Sequence, residues 1–144
     1  HAYFNEYVRP LLGPDAEYVG EADATLKREL YAKARCLVFP LQWEEPFGMV
    51  MIESMACGTP VVALNRGSVP EVVANGVTGY VCEDLAEIPA KIEAVDELDP
   101  RAIRAHVEAN FDVSVMVEGY ERIYQKVAAR APIRPSRRTL PLAR

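Results

Sequence analysis

Two spacings of apolar residues alternate along the first part of the chain. Short apolar runs bounded by glycine, proline or charged residues predict β-strands, and stretches with helical spacing lie between them. The predicted strands are residues 16–19, 36–41, 60–64 and 78–82. The runs at 36–41 and 60–64 are continuously apolar, which is typical of strands that are covered on both faces.

The stretches with helical spacing have clear start and stop signals. The first covers residues 2–12, and a second, capped by Asp23 or Thr25, runs to about Arg35. The further predicted helices are residues 48–57, 70–74, 85–95, 100–110 and 113–129. Because strands alternate with helices, the pattern predicts an α/β fold with a parallel sheet and helices on both faces.

Composition and charge are those of one globular domain followed by a basic tail. The chain is 50% hydrophobic and 26% charged, which excludes disorder for most of it. Five of the 16 Lys and Arg residues lie at 130–144, so residues 1–129 carry 11 basic against 21 acidic residues. This negative body argues against nucleic-acid binding.

The tail at residues 130–144 carries five arginines and three prolines, and we expect it to extend from the domain formed by residues 1–129. A solvated tail is the simplest interpretation. Contact with an anionic membrane surface is the alternative, because basic segments favour such surfaces.

The cysteines and histidines indicate no metal site and no nucleophilic triad. Cys36, Cys57 and Cys82 are isolated in apolar surroundings, which predicts reduced thiols and a cytoplasmic protein. The chain has no GxGxxG or GxxxxGK[ST] motif, which argues against a dehydrogenase or a P-loop NTPase.

The loop at 41–48 is the most informative of the loops that follow the predicted strands. An open parallel sheet binds its ligand at the carboxyl ends of its strands, where this loop leads into a helix. The amides from Phe47 to Val50 therefore lack intrahelical acceptors and suit a phosphate or a sugar hydroxyl. Gly48 lets a ligand approach this backbone closely.

Two glutamates lie on either side of these amides. Glu53 is on a helix that is apolar nearly all round, where a carboxylate is costly unless it is hydrogen-bonded, and Glu45 lies in the loop. Carboxylates beside backbone donors suit a ligand with many hydroxyls and one charged linkage, such as a nucleotide sugar. The alternatives are that Glu44 and Glu45 are solvated loop charges and that Glu53 caps the amides of a neighbouring loop.

Three ordered motifs resemble one family. They are EPFG at 45–48, ESMACGTPVVA at 53–63 and GSVPEVV at 67–73. Together they resemble the donor-binding half of retaining GT-B glycosyltransferases of family 4, also called glycosyltransferase group 1, over roughly residues 1–128. A long ordered signature of this kind is more specific than a single short motif.

The resemblance implies a Rossmann-like domain that forms the C-terminal half of a GT-B fold, in an enzyme that moves a sugar from a nucleoside diphosphate to an acceptor hydroxyl. The Glu-x7-Glu signature of the family maps onto Glu45, which would contact the transferred sugar as the candidate catalytic residue, and Glu53, which would contact the ribose. The implied donor-binding set is Glu45, Phe47, Gly48, Met49, Val50 and Glu53, with Val19 and Gly20 flanking the base. No metal or other cofactor is implied, because helix N-termini and basic residues stabilise the departing diphosphate.

The chain departs from the family pattern at two places. Arg66 stands before Gly67 where many members have two glycines, and the upstream basic residues that face the diphosphate have no counterpart. We therefore expect part of a longer enzyme that lacks its first strand and its N-terminal acceptor domain, and that is inactive alone. The rival interpretations are a non-catalytic sugar-nucleotide-binding module and a GT-B epimerase or phosphorylase-like enzyme.

Overall fold

Three parallel strands form the sheet of the computed structural model, which describes residues 2–130. They are β1 (Leu37–Phe39), β2 (Val61–Leu64) and β3 (Gly79–Cys82), in the order β1-β2-β3. Leu37 lies opposite Val61, and Val61 lies opposite Gly79. The predicted parallel α/β arrangement, a Rossmann-like sheet with helices, is confirmed.

Residues 2–130 also form six α-helices. They are α1 (Ala24–Lys33), α2 (Met49–Ala56), α3 (Val69–Val72), α4 (Ile88–Ala94), α5 (Pro100–Asn110) and α6 (Val113–Arg130). Asp23 caps α1 by accepting a hydrogen bond from Leu26 N at 2.8 Å, so it is the cap rather than Thr25. Of the expected tail, Arg130 ends α6 and residues 131–144 lie outside the described residues.

The helix predicted over residues 2–12 is wrong as a single α-helix. Phe4–Val8 is π-helical and Arg9–Leu11 is a 3-10 helix. Pro10 explains the break, because proline has no N–H to donate and its ring crowds the carbonyl four residues earlier. In its place the N–H of Arg9 donates to the carbonyl of Phe4, five residues back.

The strand predicted at residues 16–19 is also wrong. Gly13 and Ala16 pair with each other across a tight turn, with N–O distances of 2.9 and 3.1 Å. This turn occupies the polar backbone groups of Ala16 that a strand ladder would need. Tyr18 lies against Phe4, with 4.7 Å between the ring centroids, and is 60% exposed.

The core lies on both faces of β2. Val61 and Ala63 pack on one face against a cluster that includes Met51, Met55 and Ile103. Val62 and Leu64 pack on the other face, where α4 covers the sheet. This alternation follows from the pleat of the strand and confirms that residues 60–64 are covered on both faces.

The prediction that residues 36–41, which include β1, are covered on both faces is wrong. Val38, which lies opposite Val62 in the register, is 38% exposed. The reason is that α4, which covers this face, packs over β2 rather than over β1.

Helix α6 carries an apolar stripe on its surface. None of its residues is buried, and Tyr120, Ile123 and Tyr124 are each more than half exposed. Among residues 2–130, no helix is long and apolar enough to cross a membrane.

Candidate functional site

Glu45 lies in the loop between β1 and α2, and its carboxylate binds this loop. Oε1 accepts a hydrogen bond from Gly48 N at 3.2 Å, and Oε2 accepts one from Trp43 Nε1 at 3.1 Å. The amide of Gly48, which we expected to be available to a ligand, is therefore already engaged. The carboxylate of Glu45 is held at the start of α2, where a sugar hydroxyl could share its remaining lone pairs.

Gly48 caps α2 in a left-handed conformation, with φ of 72° and ψ of 62°. Glycine is favoured here because an L side chain is strained at this positive φ, and a Cβ would also lie 2.5 Å from Cε at the flexible end of Met51. Met49 and Val50 follow as the first two helical residues, and their amides have no acceptor in a preceding turn. The donor set predicted from the sequence is thus reduced to the amides around Phe47, Met49 and Val50.

A second loop holds the first one in place. Glu44 Oε2 accepts from Gly67 N at 2.6 Å, and the carbonyl of Glu45 accepts from Ser68 N at 2.9 Å. Gly67 has φ of 52°, and a Cβ there would collide with the backbone O and N of Glu45. Glu44 is exposed to solvent, and its carboxylate also binds the backbone of the 65–68 loop.

Glu53 lies on α2 and faces α1. Its Oε1 accepts from Lys27 Nζ at 2.8 Å, and its Oε2 lies 3.4 Å from the hydroxyl of Tyr31. The alternative in which Glu53 caps the amides of a loop is wrong, because its partners are side chains. The Glu53 side chain is 31% exposed, so both protein donors and solvent reach it.

A cavity of about 220 Å³ opens beside this carboxylate. It is lined by Ala24, Lys27, Arg28, Tyr31, Glu53 and Cys57. Burial, followed by the negative charge of Glu53, raises the pKa of Tyr31 above its ordinary value, so the phenol remains a hydrogen-bond donor. The cavity therefore offers one carboxylate acceptor among two cationic side chains and one phenol.

The turn after α2 ties α1 to the sheet. Thr59 Oγ1 donates to the carbonyl of Tyr31 at 2.6 Å, and Ser54 Oγ donates to the carbonyl of Thr59 at 3.1 Å. Ser54 and Thr59 are both buried. This pair of hydrogen bonds links the backbone at Tyr31 of α1 to Thr59, in the turn after α2, beside the cavity at Glu53.

The other predicted residues lie apart from this cavity. Phe47 and Met49 are 43% and 56% exposed and line an apolar groove of about 520 Å³ against α6. The sequence predicted that α2 is apolar nearly all round, as in a buried helix. The exposure of Met49 shows that the helix is not buried on every side. Val19 and Gly20 precede α1 in an irregular segment, and neither lines the cavity beside Glu53.

Three functional or supporting residues were not found from the sequence. Lys27 and Tyr31 are four positions apart on α1 and therefore share one helix face, but nothing local indicates that this face meets Glu53. Gly67 was noted as part of a family motif and beside a departure from the family pattern, but not for its contacts with Glu44 and Glu45. Within residues 2–130, no group of three or more His, Cys, Asp and Glu side chains is arranged to hold a metal ion.

Residues 11–104 match the family of glycosyl transferases group 1. The chain belongs to this family. The match includes β1, β2, β3 and both Glu45 and Glu53, so the family resemblance of the sequence motifs is confirmed. The matched part also contains α1, which carries Lys27 and Tyr31.

Individual group 1 relatives agree with this assignment. The chain is 34% identical over 134 residues to glycogen synthase of Mycobacterium tuberculosis, covering 87% of this chain and 31% of that protein. It is 35% identical over 116 residues to D-inositol 3-phosphate glycosyltransferase of Mycolicibacterium smegmatis, covering 74% and 27%. It is 35% identical over 99 residues to N-acetyl-alpha-D-glucosaminyl L-malate synthase of Bacillus anthracis, covering 63% and 26%. The chain spans less than a third of the length of each of these proteins.

Proposed function

We propose that this chain is the donor-binding part of a retaining glycosyltransferase that moves a sugar from a nucleoside diphosphate to an acceptor hydroxyl. The observation that carries the proposal is the position of Glu45 in the loop and of Glu53 on the helix of one loop–helix unit, inside the family match. The relatives, which include a glycogen synthase and a D-inositol 3-phosphate glycosyltransferase, support transfer of a sugar.

The ribose of the donor would bind at Glu53. A carboxylate accepts hydrogen bonds and donates none, so it suits the two hydroxyls of a ribose. The cavity of about 220 Å³ beside Glu53 is of a size to take this sugar ring rather than a whole nucleotide sugar. The base and the diphosphate would then lie outside the cavity, with Val19 and Gly20 as the candidate residues at the base.

The transferred sugar would bind at Glu45, in the loop before α2. Glu45 is held by Gly48 N and by Trp43 Nε1, which orients its carboxylate toward the start of α2. The amides of Met49 and Val50, in the first turn of α2, would contribute to the same site with the positive end of the helix dipole behind them. In this arrangement the amides stabilise the diphosphate as the sugar departs, and Glu45 positions the sugar hydroxyls.

The intact protein would add an acceptor-binding domain and the cations that face the diphosphate. We keep metal-independent transfer and a cytoplasmic location, with contact to a membrane surface as an alternative, as parts of this proposal. A non-catalytic binding module or an epimerase or phosphorylase-like enzyme would share the donor site and differ in the reaction.

The test is transfer by the full gene product, assayed with UDP-, GDP- and ADP-sugars. Glu53→Gln keeps the shape of the side chain and removes its charge, and it should raise the donor KM by about tenfold or more, which is the scale of one lost charged hydrogen bond. Glu45→Gln should lower kcat instead. Glu29→Gln is the matched control, because Glu29 is an exposed glutamate that pairs with Lys33 one turn along α1 and does not line the cavity at Glu53.

Three outcomes would contradict the proposal. Unchanged donor KM in Glu53→Gln would remove the ribose role. Binding of a sugar nucleotide without transfer to any acceptor would favour the non-catalytic module. Conversion of the donor in the absence of an acceptor would favour the epimerase or phosphorylase-like alternative.

A further inference from the structure

The carboxylate of Glu53 is held by two side chains of a neighbouring helix. Lys27 Nζ lies 2.8 Å from Oε1, and the Tyr31 hydroxyl lies 3.4 Å from Oε2. Lys27 and Tyr31 are separated by one helical turn of α1, so a single helix face presents both donors to the two oxygens. The side chains of Lys27 and Glu53 are 38% and 31% exposed, which leaves the pair open to the adjoining cavity.

This arrangement leaves a defined acceptor capacity on Glu53. An ionised carboxylate has about four lone-pair positions, two on each oxygen. One position on Oε1 is used by Lys27 and one on Oε2 by Tyr31. One acceptor position therefore remains on each oxygen, which matches a vicinal diol that donates two hydrogen bonds side by side.

We propose that Lys27 is a positioning residue for Glu53, which with Tyr31 orients the carboxylate so that it receives both ribose hydroxyls of a nucleoside diphosphate. The inference rests on the proposed function, because it assumes that Glu53 meets the ribose. Lys27 acts through Glu53, so its contribution to nucleotide affinity depends on the 2′-hydroxyl of the ribose. A lysine that only stabilised the packing of α1 on α2 would have no such dependence.

The experiment compares ribonucleotides with their 2′-deoxy counterparts in the full gene product. Binding of UDP, GDP and ADP is measured by calorimetric titration, each beside its 2′-deoxy form, and the nucleotide that binds best is carried forward. The variants are Lys27→Met, Lys27→Arg, Glu53→Gln and the double variant. Lys33→Met is the matched control, because Lys33 is a lysine of the same helix whose side chain is 80% exposed and pairs with Glu29.

Lys27→Met should weaken binding of the ribonucleotide by about tenfold and that of the 2′-deoxy form by about twofold or less, since the loss is of one oriented hydrogen bond. The donor KM should rise while kcat at saturating donor is retained. Lys27→Arg, which keeps a charged donor, should restore part of the preference for ribose. In the double variant the loss should not exceed that of Glu53→Gln alone, because Lys27 then has no carboxylate to orient.

Failure of this inference is distinguishable from failure of the proposed function. If no nucleotide binds, or if Glu53→Gln leaves the preference for ribose over 2′-deoxyribose unchanged, the proposed role of Glu53 is wrong. If Glu53→Gln removes that preference, but Lys27→Met weakens the binding of both nucleotides equally or leaves both unchanged, only the role of Lys27 is wrong. Should Lys27→Met fail to fold, Lys27→Arg and Lys27→Gln provide the test through the same comparison, the affinity for the ribonucleotide divided by that for its 2′-deoxy form.

Discussion

Replacing Gly67 with alanine tests whether the 65–68 loop holds the donor-side loop in place. Gly67 has φ of 52°, and a Cβ there would collide with backbone atoms of Glu45. The left-handed conformation alone costs alanine about 1–2 kcal/mol. The Glu45 segment must also move, which breaks the 2.6 Å bond between Gly67 N and Glu44 Oε2 and costs about 1 kcal/mol more for an exposed pair.

The total of about 2–3 kcal/mol should lower the Tm of Gly67→Ala by roughly 6–12 °C in a domain of this size. The measurement is thermal unfolding followed by circular dichroism, with urea unfolding as a second estimate of the free energy. Gly76→Ala is the matched control, since Gly76 has φ of 76° but a Cβ there would meet no atom within 4 Å. This control should lose only the backbone term, about 1–2 kcal/mol.

Equal losses in the two variants would refute the reasoning, because the excess at Gly67 is the part that comes from contact with the Glu45 loop. A Glu44→Gln variant separates the two contributions. It keeps glycine at position 67 and weakens only the hydrogen bond to its amide, so it should lose less than Gly67→Ala.

Two further predictions concern pH. Burial and the charge of Glu53 raise the pKa of Tyr31 above its ordinary value of 10.0. Its contribution to stability is therefore complete below about pH 10 and is lost as the pH rises through the folded-state pKa. In urea unfolding, Tyr31→Phe should lose less stability on the alkaline side than the unchanged chain. Hydrogen bonds from Arg35 lower the pKa of Asp96 below its ordinary value of 3.8. The contribution of Asp96 to stability is therefore present above about pH 4 and is lost as the pH falls through the folded-state pKa. In urea unfolding, Asp96→Asn should lose less stability on the acid side than the unchanged chain. A profile parallel to that of the unchanged chain would contradict either prediction.

The parts of the fold that could be predicted are those fixed by local pattern. The apolar run at Val61–Leu64 gave β2, and the glycines at 48 and 58 bounded α2, because both signals lie within the segment itself. The errors at 2–12 and 16–19 came from short segments in which Pro10 and the Gly13–Ala16 turn outweighed the apolar spacing.

The sequence singles out Glu45 and Glu53, whose binding roles stay predictions, but it does not indicate their contacts. Glu45 and Glu53 were identified from the signature, but their partners come from elements that are distant in the chain. Lys27 is 26 positions from Glu53, and Gly67 is 23 from Glu44. Pairings of this kind depend on how helices and loops pack over the sheet, which the spacing of residues within one segment does not encode.

The hydrogen bond from Thr59 to the backbone of Tyr31 gives the Gly-Thr-Pro part of the family signature a role away from the donor. Thr59 is buried, does not line the cavity at Glu53 and links the backbone of α1 to the turn after α2. A mutational scan for donor affinity would therefore register Thr59 although it does not contact the donor. Within this signature, sensitivity to substitution reports the geometry of the binding site as much as contact with the ligand.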